Sequence, residues 1–176
     1  MNSIFGIYDR RLEVMKKNKI GDCNSILDIG CGTGTYSIIA KNFYTGIDIN
    51  INYINFAKSR NKNKKIKYIC KDVTEIKLSK SFDQILMVGI LHHLDRKSIL
   101  RLLDSLKSEA KIYIFEPLRD QDHFISKLLV KLDRGEFIRT QGDYSNIIKE
   151  KLLISKIEQI QLGVIKTVMY ECNYKH

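Results

Sequence analysis

Short apolar runs alternate with amphipathic stretches along most of this chain. The runs SILDIG (25–30), YTGIDI (44–49), IKYICKD (66–72), FDQILMVG (82–89) and KIYIFEP (111–117) are six to eight residues long and rich in β-branched and aromatic side chains. Runs of that length and type predict buried strands. Between them the apolar positions take helical spacing: over 7–19, from Thr35 to Asn42, through Ser59, and after His93, where Ile99, Leu102, Leu103 and Leu106 share one face. Strands alternating with helices predict a parallel sheet covered on both faces. The pattern changes after Pro117. An amphipathic helix is expected over 121–133, the stretch DRGEFIRTQGDY (133–144) has no clear period, and a short helix follows around Tyr144–Lys151. Two last strands, 154–161 and 164–174, flank a tight turn at Leu162-Gly163. So short a connection demands an antiparallel hairpin, because a parallel crossover needs about a dozen residues or more. The expected fold is α/β: three layers around a seven-stranded, mostly parallel sheet closed by an antiparallel C-terminal hairpin.

Composition narrows the class without naming a function. A chain of 176 residues, 44% hydrophobic and 28% charged, has the size and balance of one soluble globular domain. No apolar run approaches the roughly 18 residues of a membrane span. The opening MNSIFGIYDRRLEVMKK has neither an apolar core nor a small-residue cleavage site, so a cytoplasmic location is expected. The four cysteines, Cys23, Cys31, Cys70 and Cys172, are scattered, which argues for reduced thiols rather than a disulfide framework or a zinc site.

The net charge of +10 raises nucleic acid as a partner. However, the joint excess of Lys, Ile and Asn is what an AT-rich coding bias produces whatever the function. The densest basic run, RNKNKKIK (60–67), falls between a helix and a strand, where a solvated loop suffices. A basic field still draws anionic substrates by steering.

The chemistry concentrates where the first strand ends. Gly30, Gly32 and Gly34 let a ligand approach main chain at the carboxyl end of that strand, where open α/β sheets bind their ligands. A dinucleotide site would require G-x-G-x-x-G, and its third glycine would fall at Thr35. Asp48 ends the second strand, placed to accept the hydroxyls of a ribose, or simply to cap the next helix. Asp72 ends the third, where its carboxylate suits an adenine amino group and the Val73 amide a ring nitrogen. Asp28, just before the loop, is suited to a cationic amino group.

Taken together, these stretches resemble the class I S-adenosylmethionine-dependent methyltransferases, a Rossmann-like superfamily. LDIGCGTG is similar to its first motif, GIDIN to its acidic second, CKDV to its third and FDQILMVGILHHL to its fourth, over about residues 23–117. The resemblance implies S-adenosylmethionine as cofactor. It implies Gly30, Cys31 and Gly32 beside the methionine portion, Asp48 on the ribose and Asp72 with Val73 on the adenine. Asp28, Gly34, Ile49 and Val88 complete the expected cofactor site, and Cys31 is then a small, inert loop residue. It also implies one domain: an N-terminal helix (1–22), a cofactor-binding core (23–117), a substrate-side insertion (118–151) and the closing hairpin (152–176). LDRGEFIRTQGDY resembles a segment of a compact subgroup, implying that Asp133, Arg134, Gly135, Arg139 and Tyr144 form a specificity feature above the cofactor.

The expected reaction is methyl transfer to an oxygen or nitrogen of a small molecule such as a saccharide or secondary metabolite. His92 and His93 follow the fourth strand, where one of them is placed to act as general base. The alternative is that one packs beside the cofactor and the other caps the next helix. Tyr144 and Asp133 are further candidates for the base, Arg134 and Arg139 for holding the acceptor. No metal is expected. The fourth motif lacks the Asp/Asn-Pro-Pro-aromatic tetrad of amino-methylating nucleic-acid enzymes and the Pro-Cys pair of pyrimidine C5 enzymes. RNA methylation at another position, or a non-catalytic cofactor-binding subunit, are the competing functions.

Overall fold

The computed structural model describes residues 4–76, 81–106, 108–121 and 136–175. Seven strands form one sheet: β1 (Ser25–Ile29), β2 (Phe43–Asp48), β3 (Ile66–Cys70), β4 (Gln84–Val88), β5 (Lys111–Pro117), β6 (Leu152–Leu162) and β7 (Ile165–Tyr174). Their order is β3-β2-β1-β4-β5-β7-β6. The first five strands are parallel, and β7 pairs antiparallel with both β5 and β6. The expected α/β sandwich with a closing hairpin is therefore the observed one. Because β1 is central, with chain leaving to β2 on one side and β4 on the other, a crevice opens where the carboxyl ends of β1 and β4 lie side by side.

Alternation along the strands divides the core in two. Leu27, Ile29, Ile85, Met87, Ile112 and Ile114 face one layer. Their neighbours Ile26, Leu86, Tyr113 and Phe115 face the other. The first layer is covered by α3 (Arg96–Ser105), through Ile99, Leu102 and Leu103, and by α4 (Gln141–Lys149), through Ile147 and Ile148. The second is covered by α1 (Ile4–Lys17), through Val14 and Met15, and α2 (Ile51–Arg60), through Ile54 and Ala57. The strands β1, β4 and β5 are thereby removed from water on both faces, which is why they read as near-continuous apolar runs, whereas β3 and β6 keep exposed positions.

Three local expectations are corrected. The helix anticipated from Thr35 to Asn42 is a single 3₁₀ turn, Thr35–Ile39. Ala40 is already extended, because the Phe43 N–H must reach the Asn24 carbonyl (2.9 Å) to start β2 beside β1. The last helix begins at Gln141 rather than near Tyr144. Thr140 and Asp143 form a reciprocal capping box there, which starts the helix three residues earlier than periodicity suggested. The hairpin turn falls on Gly163 and Val164, one residue later than expected, with Gly163 in the left-handed region. The helix expected over 121–133 lies outside the described residues, apart from Gln121.

Candidate active site

The glycine loop is pinned before it meets any ligand. The N–H groups of Gly30 and Cys31 both donate to the Ile47 carbonyl of β2, at 2.8 and 3.0 Å. Within the loop the glycines serve different ends. A Cβ on Gly34 (φ 75°) would stand 2.5 Å from the Tyr68 hydroxyl, so Gly34 is required by packing. Gly32 (φ 53°) has open space where its Cβ would be, so the bare backbone there faces the cavity.

The carboxylate of Asp48 accepts the Gly32 N–H through Oδ2 and the Asn50 N–H through Oδ1, both at 2.8 Å. It is not a helix cap. Asn50 caps α2, accepting from the amides of Asn52 and Tyr53 at 3.0 and 3.3 Å. Two of about four lone-pair positions on Asp48 are thus used to hold it, and the rest suit a pair of hydroxyls. Asp72 is held similarly, with Oδ1 accepting from the Thr74 amide and hydroxyl, both at 2.8 Å. The 3₁₀ turn that follows is closed by the amides of Thr74, Glu75 and Ile76, and that of Val73 is not among these donors.

Gly30, Gly32, Asp48, Ile49, Asp72 and Val73 line one cavity of about 670 Å³, within the usual range for a cofactor-sized ligand. The other four expected cofactor residues do not line it. Asp28 is 1% exposed and accepts a hydrogen bond from the Tyr44 hydroxyl beneath the loop. Burial raises its carboxyl to about 7, with the Tyr44 bond opposing and the Asp48 charge adding to the rise. Cys31 packs its sulfur against Gly46, and burial, reinforced by Asp28 and Asp48, holds the thiol far above its ordinary value. Burial thus disfavours the thiolate, the form a nucleophile needs. Gly34 supports Tyr68, and Val88 belongs to a second cavity.

That second cavity, about 160 Å³, lies at the carboxyl ends of β4 and β5 and shares Gly89 with the first. Its polar walls come from Arg11, His92 and Thr167. His92 is 2% exposed, with Nδ1 at 2.7 Å from Oε2 of Glu116. Glu116, at 0% exposure, also accepts the amides of Ile90 (2.9 Å), Leu91 (2.7 Å) and His92 (3.3 Å). A carboxylate can only accept, so against Glu116 the proton of this hydrogen bond sits on Nδ1, and Nε2 is the ring nitrogen left for other chemistry. Glu116 was not among the residues expected at the site. Its signal was an acidic residue inside the apolar run KIYIFEP.

His93 lines the larger cavity instead, its ring centroid 4.1 Å from that of His92. The next helix is capped by Asp95, not by either histidine. Tyr144 is fully buried in the core under α4 and lines neither cavity, a correction to its expected catalytic role. Arg139 is also reassigned. Its guanidinium donates to the carbonyls of Leu91 (3.0 Å), Phe137 (2.8 Å) and Leu94 (2.8 Å), and the Phe137 amide donates to the His92 carbonyl at 3.0 Å. This segment therefore braces the histidine turn. Asp133, Arg134 and Gly135 lie outside the described residues. Among the described residues no cluster of His, Cys, Asp and Glu suits a metal ion, and no helix is long and apolar enough to cross a membrane.

A glycine loop at the β1–β4 crevice, acidic residues ending β2 and β3, and an antiparallel β7 inserted beside β5 together define the class I S-adenosylmethionine-dependent methyltransferase fold. Residues 26–111 match the family described as "Methyltransferase domain". By that match and by its fold the chain is similar to the class I S-adenosylmethionine-dependent methyltransferases. It is 29% identical over 171 residues to an uncharacterised protein of Methanocaldococcus jannaschii, covering 97% of this chain and 64% of that one. It is 23% identical over 110 residues to (S)-coclaurine N-methyltransferase of Papaver somniferum, covering 57% of this chain and 31% of that enzyme. The chain thus spans less than two thirds of either relative. Among solved structures, the N-methyltransferase NodS of Bradyrhizobium japonicum aligns over the whole of both chains at a TM-score of 0.74 and 16% identity. NodS in complex with S-adenosyl-L-homocysteine aligns at 0.70, with the same identity, over 96% of this chain and 86% of that one.

Proposed function

We propose that this protein transfers a methyl group from S-adenosylmethionine to an oxygen or nitrogen of a small molecule, with His92 as general base. The residues present fit the cofactor: Gly32 offers bare backbone, Asp48 a fixed carboxylate with lone pairs to spare, and Asp72 with Val73 an acceptor and a donor one position apart. When bound, the cofactor supplies an already activated methyl group, leaving the protein to position the acceptor and manage its proton. Asp48 holds the ribose, Asp72 and the Val73 amide the adenine, and His93 with Ile90 walls the same cavity.

The observation that carries the proposal is the buried His92–Glu116 pair, whose histidine lines the small cavity that shares Gly89 with the larger one. Nε2 of His92 accepts the proton of the acceptor's hydroxyl or amine. Glu116 keeps the ring in that tautomer and stabilises the imidazolium that forms. A cavity of about 160 Å³ supports a small acceptor group over a large one.

The test is methyl transfer from labelled S-adenosylmethionine into fractionated small-metabolite extracts, with His92→Gln as comparison. We expect label in a small-molecule fraction and a loss of kcat of about 10²–10⁴-fold in the variant, with S-adenosylhomocysteine affinity unchanged. Full activity in the variant removes His92 as base. Failure of the wild type to bind S-adenosylhomocysteine by calorimetry removes the whole reading.

A further inference from the structure

A further cavity, of about 410 Å³, opens at the amino-terminal edge of the sheet, where residues 19–22 lead into β1 and Lys41 precedes β2. It shares no lining residue with either cavity at the carboxyl edge. Its apolar wall is Leu12, Ile20, Ile38 and Ile39, and Ile38 is 73% exposed. Lys16, Lys19 and Lys41 stand around that wall with one acidic residue, Asp22. Asp22 is taken by Lys41, whereas Lys16 and Lys19 have no ion pair among the described residues.

The cavity is built into the fold. The chain leaves α1 through a Schellman motif, in which the Ile20 N–H donates to the Met15 carbonyl (2.9 Å) and the Lys19 N–H to the Lys16 carbonyl (3.0 Å). Buried Gln84 grips the turn that follows: its Oε1 accepts the Gly21 N–H at 2.8 Å, and its Nε2 donates to the Lys19 carbonyl at 3.3 Å. Gly21 rests so closely on Ile39 that a Cβ would stand 2.3 Å from the Ile39 carbonyl oxygen. The motif places Lys19 in the left-handed region (φ 55°), alone in this among the described non-glycine residues. Glycine usually fills that position, because a side chain is strained there. The helix dipole favours lysine throughout the last turn, so it does not explain a lysine at the one strained position. Strain of this kind is found where a ligand is held.

We propose that this cavity is a second ligand site, which takes a free aliphatic carboxylate. The chain of the ligand lies on Ile20, Ile38 and Ile39, and its head group meets the ammonium groups of Lys19 and Lys16. Charge complementarity selects this occupant: an apolar wall flanked by two unpaired cations suits an apolar body with one negative end, and a neutral amphiphile leaves both lysines unused. The volume is within the range of small-molecule pockets. The inference goes beyond the methyltransferase reading and does not depend on it.

Calorimetry with octanoate, 1-octanol and acetate tests it. We expect the wild type to bind octanoate at one site. It should bind 1-octanol about three-fold or more weakly, because exposed charges contribute modestly, and acetate about ten-fold or more weakly, because the buried chain is missing. Lys19→Gly should bind octanoate about three-fold or more weakly while melting about 2–4 °C higher, since it loses the charge and releases the strain. Should Lys19→Gly fail to fold, Lys19→Asn replaces it, because asparagine tolerates the left-handed region. Saturating S-adenosylhomocysteine should leave octanoate binding unchanged. The proposal is overturned if octanoate shows no saturable binding, if 1-octanol binds as tightly, if the Lys19 variant keeps full affinity, or if S-adenosylhomocysteine displaces octanoate. Sedimentation with phosphatidylglycerol vesicles in the absence of octanoate binding would overturn it in favour of a membrane contact. Octanoate binding by a protein that does not bind S-adenosylhomocysteine would leave this site standing and remove only the methyltransferase reading.

Discussion

Asp28 shows how a single residue at this site sets a balance against stability. Its carboxyl is fully buried with one hydrogen-bond partner, the Tyr44 hydroxyl, and burial raises it to about 7. In the unfolded chain the same group releases its proton near 3.8. Between those values the folded state binds more protons, so Asp28 makes stability fall as pH rises from about 4 to about 7, after which its effect is constant. The upper bound of that loss is roughly 4 kcal/mol. Asp28→Asn should therefore raise the melting temperature at pH 8 while leaving it near the wild-type value at pH 4.5. Thermal unfolding at both pH values checks this, and an equal effect at both would mean that Asp28 ionises normally.

Within the glycine loop, two neighbouring positions of the same residue type are required for different reasons. Gly32→Ala meets no atom, so its stability cost is that of a left-handed φ, about 1–2 kcal/mol, while its methyl group stands at the cavity proposed for the cofactor. Gly34→Ala pays the same strain and also collides with the Tyr68 ring, which adds about 1–3 kcal/mol of overpacking. We expect Gly32→Ala to fold and to lose about ten-fold or more in S-adenosylhomocysteine affinity, and Gly34→Ala to melt markedly lower. Calorimetry paired with thermal unfolding separates the two. Normal binding by Gly32→Ala would place the cofactor away from this loop. The turn carrying His92 depends on distant chain in a similar way, since Arg139 and Phe137 hold it from 45 or more residues further on.

At the scale of the whole molecule, the parallel strands deliver both cavities to one edge of the sheet, so a ligand there binds only the folded chain. Saturation at a hundred times the dissociation constant then stabilises the fold by about 2.7 kcal/mol, or about 5–10 °C in melting temperature for a chain of this size. S-adenosylhomocysteine should produce that shift and nicotinamide dinucleotides should not, because G-x-G-x-G places Thr35 where their third glycine is needed. A dinucleotide shift without an S-adenosylhomocysteine shift would contradict the assignment. The net charge of +10 makes the approach of anionic ligands faster at low salt.

What the sequence determined by itself was everything set by local chemistry. Apolar periodicity placed all seven strands, and the glycine spacing with acidic residues at successive strand ends located Gly32, Asp48 and Asp72 on one cavity, since each lies at the end of its own strand. The tertiary structure alone decided what neighbouring strands do for one another. The parallel register sets Val88 opposite Phe115, which carries Glu116, the next residue, to the amides of Ile90, Leu91 and His92 and to the His92 ring. Nothing within a few residues of Glu116 announces that pairing. For the same reason Arg139, expected at the substrate, instead holds carbonyls of the histidine turn, and Tyr144, expected in the pocket, fills the core beneath α4. Arg11, far from His92 in the chain, lines the same small cavity only because folding brings α1 to it. Periodicity and turn chemistry act over a few residues and are written in the chain, whereas burial of a charge beside its partner depends on which strands become neighbours and in what register.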